Sequence, residues 1–210
     1  SPDGRYLVSA TWENNFRLWD VESGKCIKTF EGHSNNVSDI SFSPDGKYIV
    51  SASHDCTIKL WNVLCGECAK TVGSHGDWVN SVQFSPNGEY IVSASADGTI
   101  KLWDTELGTC IKTLEGHMEN VSDVSFSPDG KYIASASDGV TIKLWNIGLG
   151  TCMKTLYEEH AYKYWMYGSV EFSPDGRYIV FVSRNDIRLW DLELDMCKNS
   201  FENYAEMIYD

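Results

Sequence analysis

The side chains of a hydrolytic triad, serine, histidine and aspartate, occur in this chain in more than one set. One set is His33, Ser51 and Asp55, and a second, 42 residues later, is His75, Ser93 and Asp97. A catalytic nucleophile is needed once, exposed and beside an oxyanion hole. Sets that recur at a fixed spacing indicate scaffolding instead. We therefore predict no catalytic residue and no enzyme activity.

A second candidate for chemistry is the Cys-Gly-Glu-Cys stretch at Cys65 and Cys68, which in isolation resembles a redox pair or half of a zinc site. No second Cys-x-x-Cys follows to complete four ligands. Cysteines also recur at one position of a repeat, namely Cys26, Cys68, Cys110, Cys152 and Cys197. We expect a small, half-buried thiol that packs on an outer strand at each of these positions. No metal and no cofactor is predicted.

The composition restricts the class of partner. The chain has 210 residues, 42% of them hydrophobic, and a formal net charge of −13. Nucleic acid and anionic membranes require a concentrated positive face, so neither is expected, and a basic partner fits better. No signal peptide and no apolar run of membrane-spanning length is present, and with seven cysteines this favours a reducing cytoplasmic or nuclear setting. Because the chain starts at Ser1 without a methionine, we expect a fragment of a larger multidomain protein or complex.

The chain repeats itself. Ser-Pro-Asp-Gly or Ser-Pro-Asn-Gly recurs with its serine at positions 1, 43, 85, 127 and 173, and Leu-Trp followed by Asp or Asn recurs in step, with tryptophans at 19, 61, 103, 145 and 190. Between these markers, β-branched and aromatic residues alternate between faces, as in KYIVSAS and TIKLWN. Each unit thus supplies about four short strands and a tight Pro-Asp-Gly turn. The predicted fold is all-β, a β-propeller of four-stranded antiparallel blades in one domain spanning residues 1–210.

The markers, with Gly-His at 32–33 and 116–117, resemble the WD40 family over essentially the whole chain. The resemblance implies partner binding at the rims of a central channel and a buried polar relay of His, Ser, Asp and Trp in each blade. The relay residues by this match are His33, Ser51, Asp55 and Trp61, then His75, Ser93, Asp97 and Trp103, then His117, Ser135 and Trp145. Indole donates, carboxylate accepts and the other two groups do both, so the relay can be satisfied internally.

Three blades depart from this pattern. In the fourth, Gly139 occupies the Asp position and Asp138 stands one residue early; in the fifth, Phe181 replaces the Ser. In the first, Glu13 replaces the Asp, and Tyr204 is the residue at the His position. We expect these blades to be less stable.

Function is expected where the repeats differ, at one rim. There the stretch YEEHAYKYWMYG, residues 157–168, lengthens a loop and adds aromatic side chains. Its Tyr167 is interpreted as filling the core. Tyr, Trp and Arg are frequent interface anchors. The predicted partner-binding residues of the rim are Trp12, His54, Trp78, Tyr162, Lys163, Tyr164, Trp165 and Arg184.

The same rim is rich in Asp and Glu, which favours a basic peptide. We therefore predict a scaffold that binds a protein or peptide partner through the propeller rim. A ubiquitin-ligase substrate receptor is the alternative, although no Leu-Trp-Asp here is followed by Arg two residues later. A propeller enzyme is a further alternative, and it would need one convergent polar pocket.

The presence of five repeats does not decide whether the blades close into a ring. Ile208 and Asp210 fall at the repeat positions of Val37 and Asp39, so the last residues are predicted either to supply part of the inner strand of the first blade or to begin a further blade.

Overall fold

A computed structural model of the chain describes residues 1–11, 13–138, 141–157, 168–183 and 186–202. These ranges contain nineteen strands and no helix. The first sheet has three strands, β1 (Tyr6–Ala10), β2 (Asn15–Asp20) and β3 (Cys26–Glu31). The second has four, β4 (Val37–Phe42), β5 (Tyr48–Ser53), β6 (Thr57–Asn62) and β7 (Cys68–Ser74).

The remaining three sheets also have four strands each. The third contains β8 (Val79–Phe84), β9 (Tyr90–Ser95), β10 (Ile100–Asp104) and β11 (Cys110–Leu114). The fourth contains β12 (Val121–Phe126), β13 (Tyr132–Ser137), β14 (Thr141–Asn146) and β15 (Thr151–Tyr157). The fifth contains β16 (Val170–Phe172), β17 (Tyr178–Ser183), β18 (Asp186–Asp191) and β19 (Met196–Glu202). The strands of each sheet pair antiparallel in chain order, as the sequence predicted.

We number these sheets as blades 1 to 5 of a β-propeller. The repeated Ser-Pro-Asp-Gly is the turn that joins the two inner strands of a blade. In blade 2, Gly46 has φ +70°, and the Ser43 hydroxyl donates to Asp45 and accepts from the backbone N–H of Tyr48. Both polar side chains therefore satisfy backbone groups of the turn, and the glycine provides the left-handed conformation.

The core lies between neighbouring blades. Phe16 and Phe30 of blade 1 stack with ring centroids 4.5 Å apart, and both meet the edge of Trp61 of blade 2. The equivalent tryptophans Trp103 and Trp145 are buried in the next two blades. Burial of these large side chains on both faces is what holds one blade on the next.

Polar side chains of the innermost strands connect successive blades. Ser38, Asn80 and Ser122, which share one repeat position, each donate to a backbone carbonyl of the following blade. In return, Asp39 Oδ2 accepts from the N–H of Val82 at 2.8 Å, and Asp123 accepts from the following blade in the same way. These bonds between side chains and backbone groups link the innermost strands of successive blades, which belong to different sheets.

A second set of connections lies at the outer strands. The Nζ of Lys28, Lys70 and Lys112 donates to two backbone carbonyls in a turn of the next blade. In the fourth copy, Lys154 instead forms an ion pair with Asp195, which has φ +57° where the other blades carry glycine. We call these four contacts the lysine staples.

One face of blade 1 is exposed in the described part of the chain. Leu7 of β1 is 54% exposed, whereas Ile49 and Ile91 at the same repeat position are fully buried. The difference arises because Ile49 packs against Phe16 and Phe30 of blade 1 and Ile91 against Val50 and Leu60 of blade 2, whereas the described residues place no preceding blade against Leu7. Ile208 and Asp210, predicted either to supply part of the inner strand of blade 1 or to begin a further blade, lie outside the described residues.

One expectation about the outer strands is wrong. Cys26, Cys68, Cys110 and Cys152 are exposed, and only Cys197 is half-buried. The side chains at this position face solvent at the periphery instead of packing between blades.

In the described part of the chain, no helix is long and apolar enough to cross a membrane.

Candidate functional site

The relay residues of blades 2 and 3 are hydrogen-bonded in a chain. In blade 2, Trp61 Nε1 donates to Ser51 Oγ at 2.8 Å, Ser51 Oγ lies 2.7 Å from His33 Nε2, and His33 Nδ1 lies 2.8 Å from Asp55 Oδ2. A carboxylate can only accept, so Nδ1 carries the proton and Nε2 accepts from the serine hydroxyl. Blade 3 repeats the arrangement with His75, Ser93, Asp97 and Trp103.

The relay fixes the protonation states of its members. Burial lowers the pKa of His33 and of His75, in the latter case to about 4, although the neighbouring aspartate acts in the opposite direction. Burial by itself raises the pKa of Asp55, but hydrogen bonds from Thr57, Ser34 and His33 lower it to about 2. The histidine is thus neutral and the carboxylate charged at pH 7. Because Ser51 and Ser93 are fully buried, neither hydroxyl can reach a substrate.

Blade 4 keeps only part of the relay. His117 Nε2 lies 2.6 Å from Ser135 Oγ, which also accepts from Trp145. His117 Nδ1 is buried without a hydrogen-bond partner in the described residues, and Asp138 accepts from Asn120 instead. Gly139, at the Asp position, lies outside the described residues.

Blades 1 and 5 have less of the relay. Trp19 Nε1 donates to Ser9 in blade 1, and the predicted counterpart of the histidine, Tyr204, lies outside the described ranges. In blade 5, Phe181 fills the serine position and is 1% exposed. Trp190 Nε1 is buried without a partner in the part of the chain that the structure describes.

Two of the predicted rim residues form an aromatic pair, in which Trp78 is exposed and His54 is half-buried. His54 follows β5 and Trp78 precedes β8, and their rings stack with centroids 4.3 Å apart and an interplanar angle of 10°. Trp78 remains 47% exposed. Burial lowers the pKa of His54 and the charge of Asp77 raises it. The pair spans the boundary between blades 2 and 3 and presents a flat apolar surface to solvent.

A cavity of about 280 Å³ opens beside this pair. His54 lines it, together with Ser38, Asn80 and Ser122, the innermost-strand residues that bridge neighbouring blades. It therefore lies where the innermost strands converge, at the position of a propeller's channel mouth, on the face that carries His54. Glu13, Asp77 and Glu119 are exposed on the loops of this face, so its electrostatic character is acidic.

The other predicted rim residues lie outside the described ranges. They are Trp12, Tyr162, Lys163, Tyr164, Trp165 and Arg184, and Tyr167 belongs with them. Within the described ranges, no group of three or more His, Cys, Asp or Glu side chains is placed to hold a metal ion.

Sequence reasoning missed a row of acidic side chains in the channel. Burial raises the pKa of Asp39 to about 6, against hydrogen bonds from the N–H groups of Val82 and Ile40, and the charge of Asp123 raises it further. The pKa of Glu171 is raised by burial and by Asp123 and Asp39. The available signal was the polar character of two repeat positions of the innermost strand, one with Asp39, Ser81, Asp123 and Ser169 and the other with Ser41, Gln83, Ser125 and Glu171.

The comparisons with known proteins agree with this architecture. The family model described as "WD domain, G-beta repeat" matches residues 1–20, 24–62, 66–104, 108–146 and 150–191. The chain is similar to Ribosome assembly protein 4 of Saccharomyces cerevisiae, with 60% identity over 30 residues, 14% of this chain and 6% of that protein. It is also similar to Coatomer subunit beta'-1 of Arabidopsis thaliana, with 39% identity over 40 residues, 19% of this chain and 4% of that protein.

A third relative is the human DDB1- and CUL4-associated factor 4-like protein 2, with 44% identity over 34 residues, 16% of this chain and 9% of that protein. Each match thus spans about one repeat and less than a tenth of the relative's length.

Proposed function

Because the chain belongs to the WD40 repeat family, we propose that it is a non-enzymatic scaffold that binds a protein or peptide partner through the propeller rim. The observation that carries the proposal is the stacked pair of His54 and Trp78 beside the channel mouth. Tryptophan buries a large area at a low entropic cost, and tryptophans are enriched among the residues that dominate binding energy.

The partner segment is basic. Asp77 directly precedes Trp78, Glu119 is exposed on the corresponding loop of the next blade, and the chain has a net charge of −13. Complementary charge accelerates encounter and sets the orientation of the bound segment. The proposed surface includes the rim residues outside the described ranges, namely Trp12, Tyr162, Lys163, Tyr164, Trp165 and Arg184, within one domain of residues 1–210.

The names of the relatives support a role inside an assembly. One is named for ribosome assembly, one as a coatomer subunit and one as a CUL4-associated factor. A protein of this kind works as a part of a larger complex, in the cytoplasm or nucleus.

A peptide library immobilised as separate spots tests the proposal. We expect the chain to retain peptides that combine Lys or Arg with an apolar residue, and Trp78→Ala to weaken that binding about tenfold, the loss typical of an interface anchor. Leu64→Ala is the matched control, since Leu64 is 91% exposed on the opposite face. The proposal fails if Trp78→Ala and a Tyr162→Ala/Trp165→Ala variant, both folded by circular dichroism, keep the selection of the unmodified chain.

A substrate receptor of a ubiquitin ligase is the second candidate, supported by the relative named as a CUL4-associated factor. Binding of a purified cullin adaptor to the chain would favour it. Against it, none of the Leu-Trp-Asp tripeptides is followed by Arg two residues later.

A further inference from the structure

A groove of about 770 Å³ separates blades 2 and 3 on the face opposite the rim. Its walls are the turn after β8 and the turn after β10, and Tyr48, Tyr90, Glu89 and Glu106 line it. We call it the 2–3 groove.

Three residues of the 2–3 groove differ from every other repeat. Glu89 stands where the other repeats have Arg5, Lys47, Lys131 and Arg177. Thr105 stands where they have Val21, Val63, Ile147 and Leu192, and Ala69 where they have Ile27, Ile111, Met153 and Lys198. At position 69 alanine replaces a long side chain, at position 105 threonine replaces an apolar one, and at position 89 an anion replaces a cation. All three positions line the 2–3 groove.

Blade 5 shows what the equivalent position does when it carries a cation. The guanidinium of Arg177 lies 5.3 Å from the ring centroid of Tyr178. Its Nη2 lies 3.4 Å from Asp191 Oδ2 and 3.3 Å from Glu193 Oε2. A tyrosine face and two carboxylates therefore hold one arginine side chain. Blade 1 has the same four residue types, with Arg5 lying 5.6 Å from the ring centroid of Tyr6.

Blade 3 has the acceptors without the arginine. Tyr90, Asp104 and Glu106 are the repeat equivalents of Tyr178, Asp191 and Glu193, and Glu89 takes the place of the arginine. Asn87 Nδ2 donates to Glu89 Oε2 at 2.8 Å and positions this additional carboxylate at the lip. In blades 2 and 4 the same lip instead carries a Lys–Asp ion pair, Lys47 with Asp45 and Lys131 with Asp129.

The local cation does not neutralise the groove. Lys70 Nζ donates to the backbone carbonyls of Thr105 and Glu106 as one of the lysine staples. The carboxylates of Glu89, Asp104 and Glu106 thus face one lysine, whose ammonium group already donates to backbone carbonyls. The Thr105 hydroxyl is buried without a hydrogen-bond partner in the described residues.

We propose that the 2–3 groove binds an arginine side chain of a partner protein, which takes the position that Arg177 occupies in blade 5. Guanidinium fits the site better than ammonium because it stacks on an aromatic face and donates to two carboxylates at once. The partner approaches on the face opposite the rim, so both surfaces can be occupied together.

The probe is N-acetyl-arginine-amide, titrated into the ¹⁵N-labelled 210-residue chain and followed by amide chemical shifts. We expect saturable shifts at Glu89, Tyr90, Thr105 and Glu106. N-acetyl-citrulline-amide, which keeps the shape and lacks the charge, is expected to bind at least about tenfold more weakly, the effect of losing charge-assisted hydrogen bonds.

Two variants complete the test. Glu89→Arg restores the arginine within the chain and is expected to abolish the shifts while keeping or raising the melting temperature. Glu67→Arg, at an exposed position outside the groove, is the matched control for the change in net charge. Shifts that persist in Glu89→Arg, or equal affinity for arginine, lysine and citrulline amides, would overturn the proposal, since they would reflect general attraction to an acidic protein.

Discussion

His75 Nδ1 lies 3.1 Å from Oδ2 of Asp97, and this contact holds a neutral imidazole against a charged carboxylate inside blade 3. Burial lowers the pKa of His75 to about 4, while the pKa of Asp97 is held at about 2 by hydrogen bonds that outweigh its burial. Because both values differ from those of the unfolded chain, the relay makes the stability of the fold depend on pH.

The stability difference between the unmodified chain and His75→Ala is expected to shrink by roughly 3 kcal/mol as the pH falls from 7 to 4. A histidine whose folded pKa lies below its unfolded value of 6.5 stabilises the fold fully above pH 6.5 and loses that contribution toward pH 4. Asp39 acts in the opposite sense, since its raised pKa, about 6, costs stability as the pH rises from 3.8 to 6. Urea unfolding of both proteins at several pH values isolates the histidine, because Asp39 is common to them.

His75→Ala is expected to destabilise the chain at pH 7 by about 1–2 kcal/mol more than His117→Ala. Removal of His75 leaves the partly buried Asp97 without one of its donors, whereas His117 Nδ1 has no acceptor among the described residues. Urea unfolding of the two variants measures the difference. Equal losses would mean that the bond between histidine and aspartate contributes nothing to stability.

Gly73→Ala is expected to destabilise the chain by about 3 kcal/mol, the upper range for overpacking. A Cβ at this position would lie 2.1 Å from the Trp103 ring, which is only 4% exposed. Gly24→Ala is the control, because its Cβ would meet nothing within 4 Å and only its φ of +64° is unfavourable, at about 1 kcal/mol. Thermal unfolding compares the two, and a smaller loss for Gly73→Ala would refute the close packing of Trp103.

Phe181→Ser is expected to destabilise blade 5 although it restores the relay serine. The new hydroxyl can accept a hydrogen bond from Trp190 Nε1, which has no partner among the described residues, and this bond stabilises the fold by about 1 kcal/mol. Phe181 is 1% exposed, and truncation of such a side chain costs about 3–5 kcal/mol. Calorimetry should therefore show a net loss, and a raised melting temperature would contradict this ranking of the two effects.

Lys112→Met is expected to cost about 1–2 kcal/mol because two carbonyl groups of the next blade lose a charged donor. Lys131→Met removes only an exposed ion pair with Asp129 and should change stability by less than about 0.5 kcal/mol. Urea unfolding in low and high salt measures both changes. Equal effects would show that the lysine staple adds nothing beyond a surface charge.

Much of the fold could be predicted from the repeat. Strands, turns and blade order follow from two markers in step, and this prediction is confirmed. The partners within the relay were implied by the resemblance to the WD40 family, and the donors and acceptors of these residue types are compatible with that assignment. The rim prediction is only partly accessible to the structure, since His54 and Trp78 are described and stack, while the remaining rim residues are not described.

Other contacts could not be predicted for identifiable reasons. Lys28, Lys70 and Lys112 recur every 42 residues, but their acceptors are backbone carbonyls of another blade, which no side-chain pattern reveals. The pairing of Asn120 with Asp138 depends on a turn that breaks the repeat. The exposure of the outer-strand cysteines was mispredicted because alternation along a strand does not tell which side faces water at the edge of the molecule.

The lysine staples join each blade only to its successor, and this limits how far a local defect spreads. When contacts are confined to neighbours, the free energy of unfolding is a sum of terms for single repeats and for their junctions, as in a one-dimensional chain of coupled units. Loss of one staple then weakens one junction, and unfolding propagates outward from that junction before the distant blades open. Hydrogen exchange in a variant such as Lys112→Met would therefore accelerate first in blades 3 and 4.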